Sequence, residues 1–276
     1  MNTENRSIEV DGISLNVLVQ GDGPDVLLVH GFPDDHRVWR HQVPALVAAG
    51  YRVIAPDTRG CGGSDMLPAV QDYHVDKLVE DLVALLDALG VDKVKLVGHD
   101  WGAAIAWNLV VKHPQRVQCY AALSVGHIAA YVRGGLVQKL KGYYVLLMQL
   151  RGVSEFLLTR FNWLGFRLVT RYPPEFEAWR AKLGRPGRLT AALNYYRANL
   201  GMFFRRDFPT ATVPVMGIWS SDDIALAEQQ MVQTEKYVDA PFQYRRIEGA
   251  GHWLQLDAPD EVNKLLLEFL KGYEHN

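Results

Sequence analysis

The sequence predicts an α/β protein: one mostly parallel sheet with helices on both faces and an inserted helical segment. Three observations carry this. Short apolar strand-like runs alternate with segments of helical periodicity through the first half of the chain. The alternation stops over residues 127–209, which hold no clear strand run, and two more strand-like runs follow. Charge divides at the same place, because residues 127–209 carry 14 Lys+Arg and 4 Asp+Glu, a balance of +10, while the rest of the chain balances at −12.

The elements follow in order. Val26–Val29 is a strand that runs into His30-Gly31-Phe32-Pro33. Residues 36–49 read as a helix, and Arg52–Asp57 as the next strand, which leads into Arg59-Gly60-Cys61-Gly62-Gly63-Ser64. From Val75 to Leu89, Leu78, Val79, Leu82, Leu85, Leu86 and Leu89 recur at helical spacing, with Gly90 placed to end the helix. Val94–Val97 is a strand, Ala103–His113 a helix stopped by Pro114, and Val117–Val125 a strand. Val215–Trp219 and Phe242–Ile247 are the late strands, and an amphipathic helix over 259–271 closes the chain. The expected division is a core of 1–126 and 210–276 with a helical cap over 127–209, where aromatic residues are dense.

Composition narrows the classes. The 276 residues are 49% hydrophobic and 22% charged, which describes a globular chain and excludes collagen, coiled coil and disorder. No apolar run reaches the ~18 residues of a membrane span, and no apolar run follows the N-terminal residues as in a signal peptide. The expectation is a protein without stable membrane insertion. Cys61 and Cys119 stand in no metal-ligand spacing and no CxxC, which suggests buried thiols in a reducing, cytoplasmic setting. A net charge of −2 argues against nucleic acid as a partner. No metal or cofactor motif is present, and a homodimer stays open.

The chemistry concentrates at Val97-Gly98-His99-Asp100-Trp101-Gly102, a strand, a Gly-x-Asp-x-Gly turn and a helix. A sharp strand-to-helix elbow presents its central side chain at the carboxyl edge of the sheet, beside a helix N-terminus. Serine is usual at such an elbow. An ionised aspartate needs no base: it attacks carbon directly and forms an alkyl ester, which a base-activated water must then hydrolyse. As a lone motif, Asp100 reads more readily as a helix cap than as a nucleophile. Its partners decide. Asp222-Asp223 follows one late strand and Gly251-His252-Trp253 the next, in the order nucleophile, acid, histidine. His252 is the expected base and Asp223 its orienter, with Asp222 the alternative. The backbone N–H groups of Phe32 and Trp101 are the expected oxyanion donors, and Pro33 suits a cis bond.

Together these residues resemble the α/β-hydrolase superfamily and, within it, the soluble epoxide hydrolases, over nearly the whole chain. His30-Gly31-Phe32-Pro33 resembles the family's oxyanion motif, Gly98-His99-Asp100-Trp101-Gly102 its nucleophile motif and Gly251-His252-Trp253 its histidine motif. Asp57-x-Arg59-Gly60-x-Gly62-x-Ser64 also fits, with Cys61 where an aromatic is common. The resemblance implies an eight-stranded α/β-hydrolase sheet, no cofactor, and two cap tyrosines that hydrogen-bond the epoxide oxygen. Leu193-Asn194-Tyr195-Tyr196-Arg197 puts Tyr196 in one role, and Gly142-Tyr143-Tyr144 ahead of Gln149 and Gly152 puts Tyr144 in the other. Tyr195 and Tyr143 are the neighbours that compete for these roles.

The expected activity is conversion of an apolar or aryl epoxide to a vicinal diol through an Asp100 ester. A haloalkane dehalogenase is the rival, since it resembles this chain through the same elbow and Trp101; a halide wants indole donors, for which Trp163 and Trp179 are the candidates. A non-catalytic ligand-binding scaffold is the third reading. The basic insertion reads as a solvated face over an acidic core or, more sharply, as an attractor for an anionic substrate such as a fatty-acid epoxide.

Overall fold

The computed structural model describes residues 4–205 and 207–273. Eight strands form one sheet: β1 (Glu4–Val10), β2 (Ile13–Gln20), β3 (Asp25–Val29), β4 (Arg52–Pro56), β5 (Val94–His99), β6 (Val117–Leu123), β7 (Val215–Ser220) and β8 (Phe242–Ile247), in the spatial order 1-2-4-3-5-6-7-8. The pairings of β1 with β2 and of β2 with β4 are antiparallel, and the rest are parallel. This is the α/β-hydrolase sheet that the sequence predicts.

Alternation along the strands sends side chains to two layers. Val26 and Leu28 of β3 join Val53 and Val97 on one face, under α1 (Gln42–Ala48) and the C-terminal helix, through Leu46, Val262, Leu266 and Leu270. Leu27 joins Ile54 and Leu96 on the other face, under α2 (Val75–Ala88) and α3 (Trp101–Lys112), through Leu78, Leu82, Ile105 and Leu109. Every residue of β5 is buried, as a central strand covered on both faces requires.

Between β6 and β7 the chain is helical: α4 (Ile128–Val132), α5 (Gly135–Lys141), α6 (Tyr143–Met148), α7 (Val153–Thr170), α8 (Phe176–Leu183) and α9 (Arg188–Ala198). Helix α7 is broken at Arg160–Trp163, where Phe161, Asn162 and Trp163 have φ of 50°, 55° and 65°. Lys139, Arg151, Arg160, Arg167 and Arg171 are exposed, so much of this insertion's positive charge faces solvent. Helices α10 (Glu228–Val232), α11 (Leu254–Asp257) and α12 (Pro259–Lys271) complete the chain.

Some boundaries differ from the sequence reading. Residues 36–49 divide into a 3-10 turn over His36–Trp39, capped by the Asp35 carboxylate on Arg37 N, and the separate helix α1. The strand expected through Val125 ends at Leu123, and Ser124 turns the chain with a φ of 66°. Cys119 is buried, but Cys61 is only half-buried on its loop.

No helix among the described residues is long and apolar enough to cross a membrane.

Candidate active site

The sheet builds its site where strand order reverses. After β3 the chain moves out to β4 and returns on the other side as β5, so the carboxyl ends of β3 and β5 flank a crevice. His30 to Pro33 leaves β3 there, and Asp100 leaves β5. Asp100 has φ 52° and ψ −123°, a strained conformation for a non-glycine residue at the point where strand becomes helix. Two glycines make room for it. A Cβ on Gly102 would lie 2.0 Å from the carbonyl oxygen of Val29, and one on Gly31 would lie 2.4 Å from the Cβ of Asp100.

The Phe32 backbone N–H donates to Asp100 Oδ1 at 2.7 Å, and the Trp101 backbone N–H also bonds the carboxylate. The Phe32–Pro33 peptide is cis. His30 anchors this turn: its Nδ1 bonds the Gly31 carbonyl oxygen at 2.9 Å, and its Nε2 accepts from the Thr58 N–H at 3.0 Å. Burial lowers the His30 pKa, which suits a neutral ring with one donor and one acceptor nitrogen.

On the other carboxylate oxygen, His252 Nε2 lies 3.4 Å from Asp100 Oδ2, while His252 Nδ1 lies 3.0 Å from Asp223 Oδ2. Asp223 is buried, its Oδ1 accepting from the N–H groups of Ala225 and Leu226, whereas Asp222 is exposed. Of the two adjacent carboxylates, Asp223 is the one in contact with His252. The His252 carbonyl is fixed by His99 Nε2 at 2.9 Å and Ser124 Oγ at 3.1 Å. Burial opposes charge on His252, yet Asp223 and Asp100 outweigh it and lift the imidazole to about 10. Both carboxyl groups are held below their ordinary range against the push of burial, chiefly by His252. His99, by contrast, falls to about 4 through burial and the charge of His252.

This arrangement makes stability pH-dependent. The His252 pKa is raised from an ordinary 6.5, so its protonation contributes fully below about pH 6.5 and the contribution is lost as pH climbs to about 10. The melting temperature of the native protein is expected to fall more steeply over that range than that of His252→Gln. Parallel slopes would show that the ring is not held as an imidazolium.

Asp100 opens on a cavity whose lining includes Trp101, Tyr144, Tyr196, Tyr131 and Phe203. The cavity separates the members of each tyrosine pair. Tyr196 lines it, while the Tyr195 hydroxyl lies 2.6 Å from the Arg59 carbonyl oxygen and 2.9 Å from Thr58 Oγ1, tying α9 to the loop after β4. That loop is held in turn by the buried Arg59–Asp81 ion pair. Tyr144 lines the cavity and Tyr143 is exposed. Burial drives the Tyr144 and Tyr196 pKa values well above 10, so both remain protonated donors at neutral pH. The Trp101 indole hydrogen-bonds the Tyr196 hydroxyl as a donor, which leaves the phenol proton free to point elsewhere.

Neither Trp163 nor Trp179 lines this cavity. The Trp179 indole N–H donates to Asp34 Oδ1 at 2.8 Å, and that of Trp253 to Asp34 Oδ2 at 2.9 Å. Burial pushes Asp34 up to about 7 despite these donors. The sequence reading did not single out Asp34, although it directly follows His30-Gly31-Phe32-Pro33; a second acidic residue, Asp35, stands beside it, and only the fold shows which of them turns inward.

Asp100 on its strand-to-helix turn, with Asp223 and His252 at the same edge of the sheet, sits on a fold whose family pattern, the alpha/beta hydrolase fold, matches residues 24–259. The chain is 36% identical to "Epoxide hydrolase 3" of Xenopus tropicalis, over 94% of this chain and 75% of that one. It is 33% identical to "Epoxide hydrolase A" of Mycobacterium tuberculosis, over 98% of both. Among solved structures, epoxide hydrolase A from Mycobacterium thermoresistibile superposes with a TM-score of 0.83 at 31% identity, covering 100% of each chain. The chain belongs to the epoxide hydrolase family of the α/β hydrolases.

Proposed function

We propose that this protein converts an epoxide to a vicinal diol through a covalent ester on Asp100. The observation that carries the reading is one cavity holding an unprotonated carboxylate and two protonated phenols, those of Tyr144 and Tyr196. Opening an epoxide needs both at once: a nucleophile on carbon and an acid for the departing oxygen.

Asp100 Oδ2, the oxygen not bound by Phe32, attacks an epoxide carbon as the C–O bond breaks, and Tyr144 and Tyr196 share the developing charge on oxygen. Asp100 Oδ1 then becomes the ester carbonyl oxygen, already bonded by the Phe32 N–H. Esterification removes the negative charge of Asp100, one of the two carboxylates that hold His252 protonated. The ring's pKa falls, and it releases the proton that balances the one the phenols gave to the alkoxide. Neutral His252 next takes a proton from water, which attacks the ester, while Asp223 steadies the new imidazolium and the Phe32 and Trp101 N–H groups hold the oxyanion. Collapse frees the diol and restores Asp100. Each role is filled by the chain itself, with no cofactor.

In this reading 1–126 and 210–276 form the core and 127–209 the cap, supported by the confinement of the named strands to the former. The cavity walls around Val125, Ile128, Met202 and Leu226 favour an apolar or aryl epoxide. The two free cysteines fit a reducing, cytoplasmic setting.

The test is a substrate panel of styrene-type epoxides, fatty epoxides and haloalkanes, scored for diol and for halide. Diol without halide is expected. Fast halide release with no diol would give the site to dehalogenation, and binding of both classes without product would make it a non-catalytic pocket.

A further inference from the structure

Beyond Asp100, Tyr144 and Tyr196, the cavity wall carries another hydroxyl. Tyr131, on α4, lines the same cavity, among otherwise apolar neighbours such as Val125, Ile128 and Leu226. Trp101 is the other lining donor, and its indole already serves the Tyr196 hydroxyl. Tyr131 is fixed from three sides. Its ring packs on Phe203 with centroids 5.7 Å apart. Its hydroxyl lies against Gly142, where a Cβ would come within 3.2 Å of the phenol oxygen. The Gln138 side chain hydrogen-bonds it.

The other partners of Gln138 leave it an N–H for that contact. The residue is buried; its Nε2 donates to the Ala225 carbonyl oxygen at 3.3 Å, and its Oε1 accepts from the Ala227 N–H at 2.9 Å. With the amide oxygen turned to Ala227 and one Nε2 hydrogen on Ala225, the second Nε2 hydrogen is the one available to the phenol oxygen. That arrangement keeps the Tyr131 proton available to a ligand in the cavity that its side chain lines. The group is close to the chemistry, since the charge of Asp100 acts on it and it acts in turn on Tyr144 and Tyr196.

We propose that Tyr131 forms a recognition subsite, donating a hydrogen bond to an acceptor oxygen on the substrate's substituent, so that the enzyme selects epoxides bearing an ether, carbonyl or hydroxyl oxygen near the ring over all-carbon counterparts. The inference rests on the epoxide-opening reading above and adds the substrate class. Its physical basis is asymmetric: an all-carbon substituent strips water from the Tyr131 hydroxyl and returns no acceptor, whereas an oxygen-bearing one replaces the lost bond.

The experiment compares phenyl glycidyl ether with its analogue carrying methylene in place of the ether oxygen, using native protein and Tyr131→Phe. Because the two epoxides differ in intrinsic reactivity, the readout is the change in their kcat/KM ratio on substitution. The ratio is expected to shift about 3–10-fold towards the carbon analogue, the worth of one neutral hydrogen bond, through a loss on the ether and a gain on the carbon analogue, which no longer strips water from an unanswered hydroxyl, with cooperative thermal unfolding of the variant serving as the control for folding. An unchanged ratio, or an equal loss on both substrates, overturns the proposal and makes Tyr131 a packing residue. Absence of diol from either substrate with native protein instead removes the epoxide reading itself, and this subsite with it.

Discussion

Replacing Tyr196 or Tyr144 by Phe is expected to lower epoxide turnover by about 10²–10⁴-fold each, the usual scale for removing a positioned general acid. In this account the charge on oxygen as the epoxide opens falls to these two phenols, and burial keeps both protonated for the purpose. The neighbouring tyrosines supply the contrast. Tyr195→Phe removes bonds to the Arg59 carbonyl and Thr58 rather than a cavity donor, so it should lower the melting temperature with far less effect on turnover. Steady-state kinetics on the variants check this. If Tyr144→Phe together with Tyr196→Phe left diol formation intact, the phenols would have no part in the chemistry.

The second large effect concerns His252. Since Asp100 needs no base to attack, His252→Gln should leave alkylation largely in place while blocking water attack on the ester. Enzyme mixed with epoxide should then accumulate a stable adduct at Asp100, seen by intact-mass spectrometry as an increase equal to the epoxide, while multiple-turnover diol formation is nearly lost. His252 touches both carboxylates, so some loss of alkylation is also expected from the altered charge beside Asp100. An inactive variant that never forms adduct would place the histidine in the first step and contradict this sequence of events.

The sequence carries the site better than it carries the edges of the fold. Asp100, Asp223 and His252 each follow a strand-like run, and the structure brings the three side chains together. Apolar runs of buried parallel strands and the helical periodicity of α2 were equally legible, because burial on two faces leaves long unbroken apolar patterns. The β1–β2 hairpin was not read from its residues, although the resemblance implied eight strands. β1 opens on four consecutive polar residues and β2 alternates only from Ile13 to Val17, so neither shows a strand's full pattern; the Asp11-Gly12 turn, with φ of 43° and 81°, was its available signal.

Within the site, adjacency limited the reading. Nothing in Tyr143-Tyr144 or Tyr195-Tyr196 says which member faces inward; successive helical residues point about 100° apart, and only packing against the loop after β4 turns Tyr195 away from the cavity. The same holds for Asp222 and Asp223. Tyr131 and Asp34 escaped because their settings depend on contacts with Gln138, Trp179 and Trp253, distant in sequence.

The most direct measurement follows oxygen through one turnover. With native protein in excess over epoxide in ¹⁸O-labelled water, the diol should carry only unlabelled oxygen, one atom from the epoxide and one from the Asp100 carboxylate, and the label should enter Asp100, recoverable by mass spectrometry of the peptide that contains it. Label in the diol after that single turnover, with none in Asp100, would show water attacking the epoxide directly and would contradict the covalent ester.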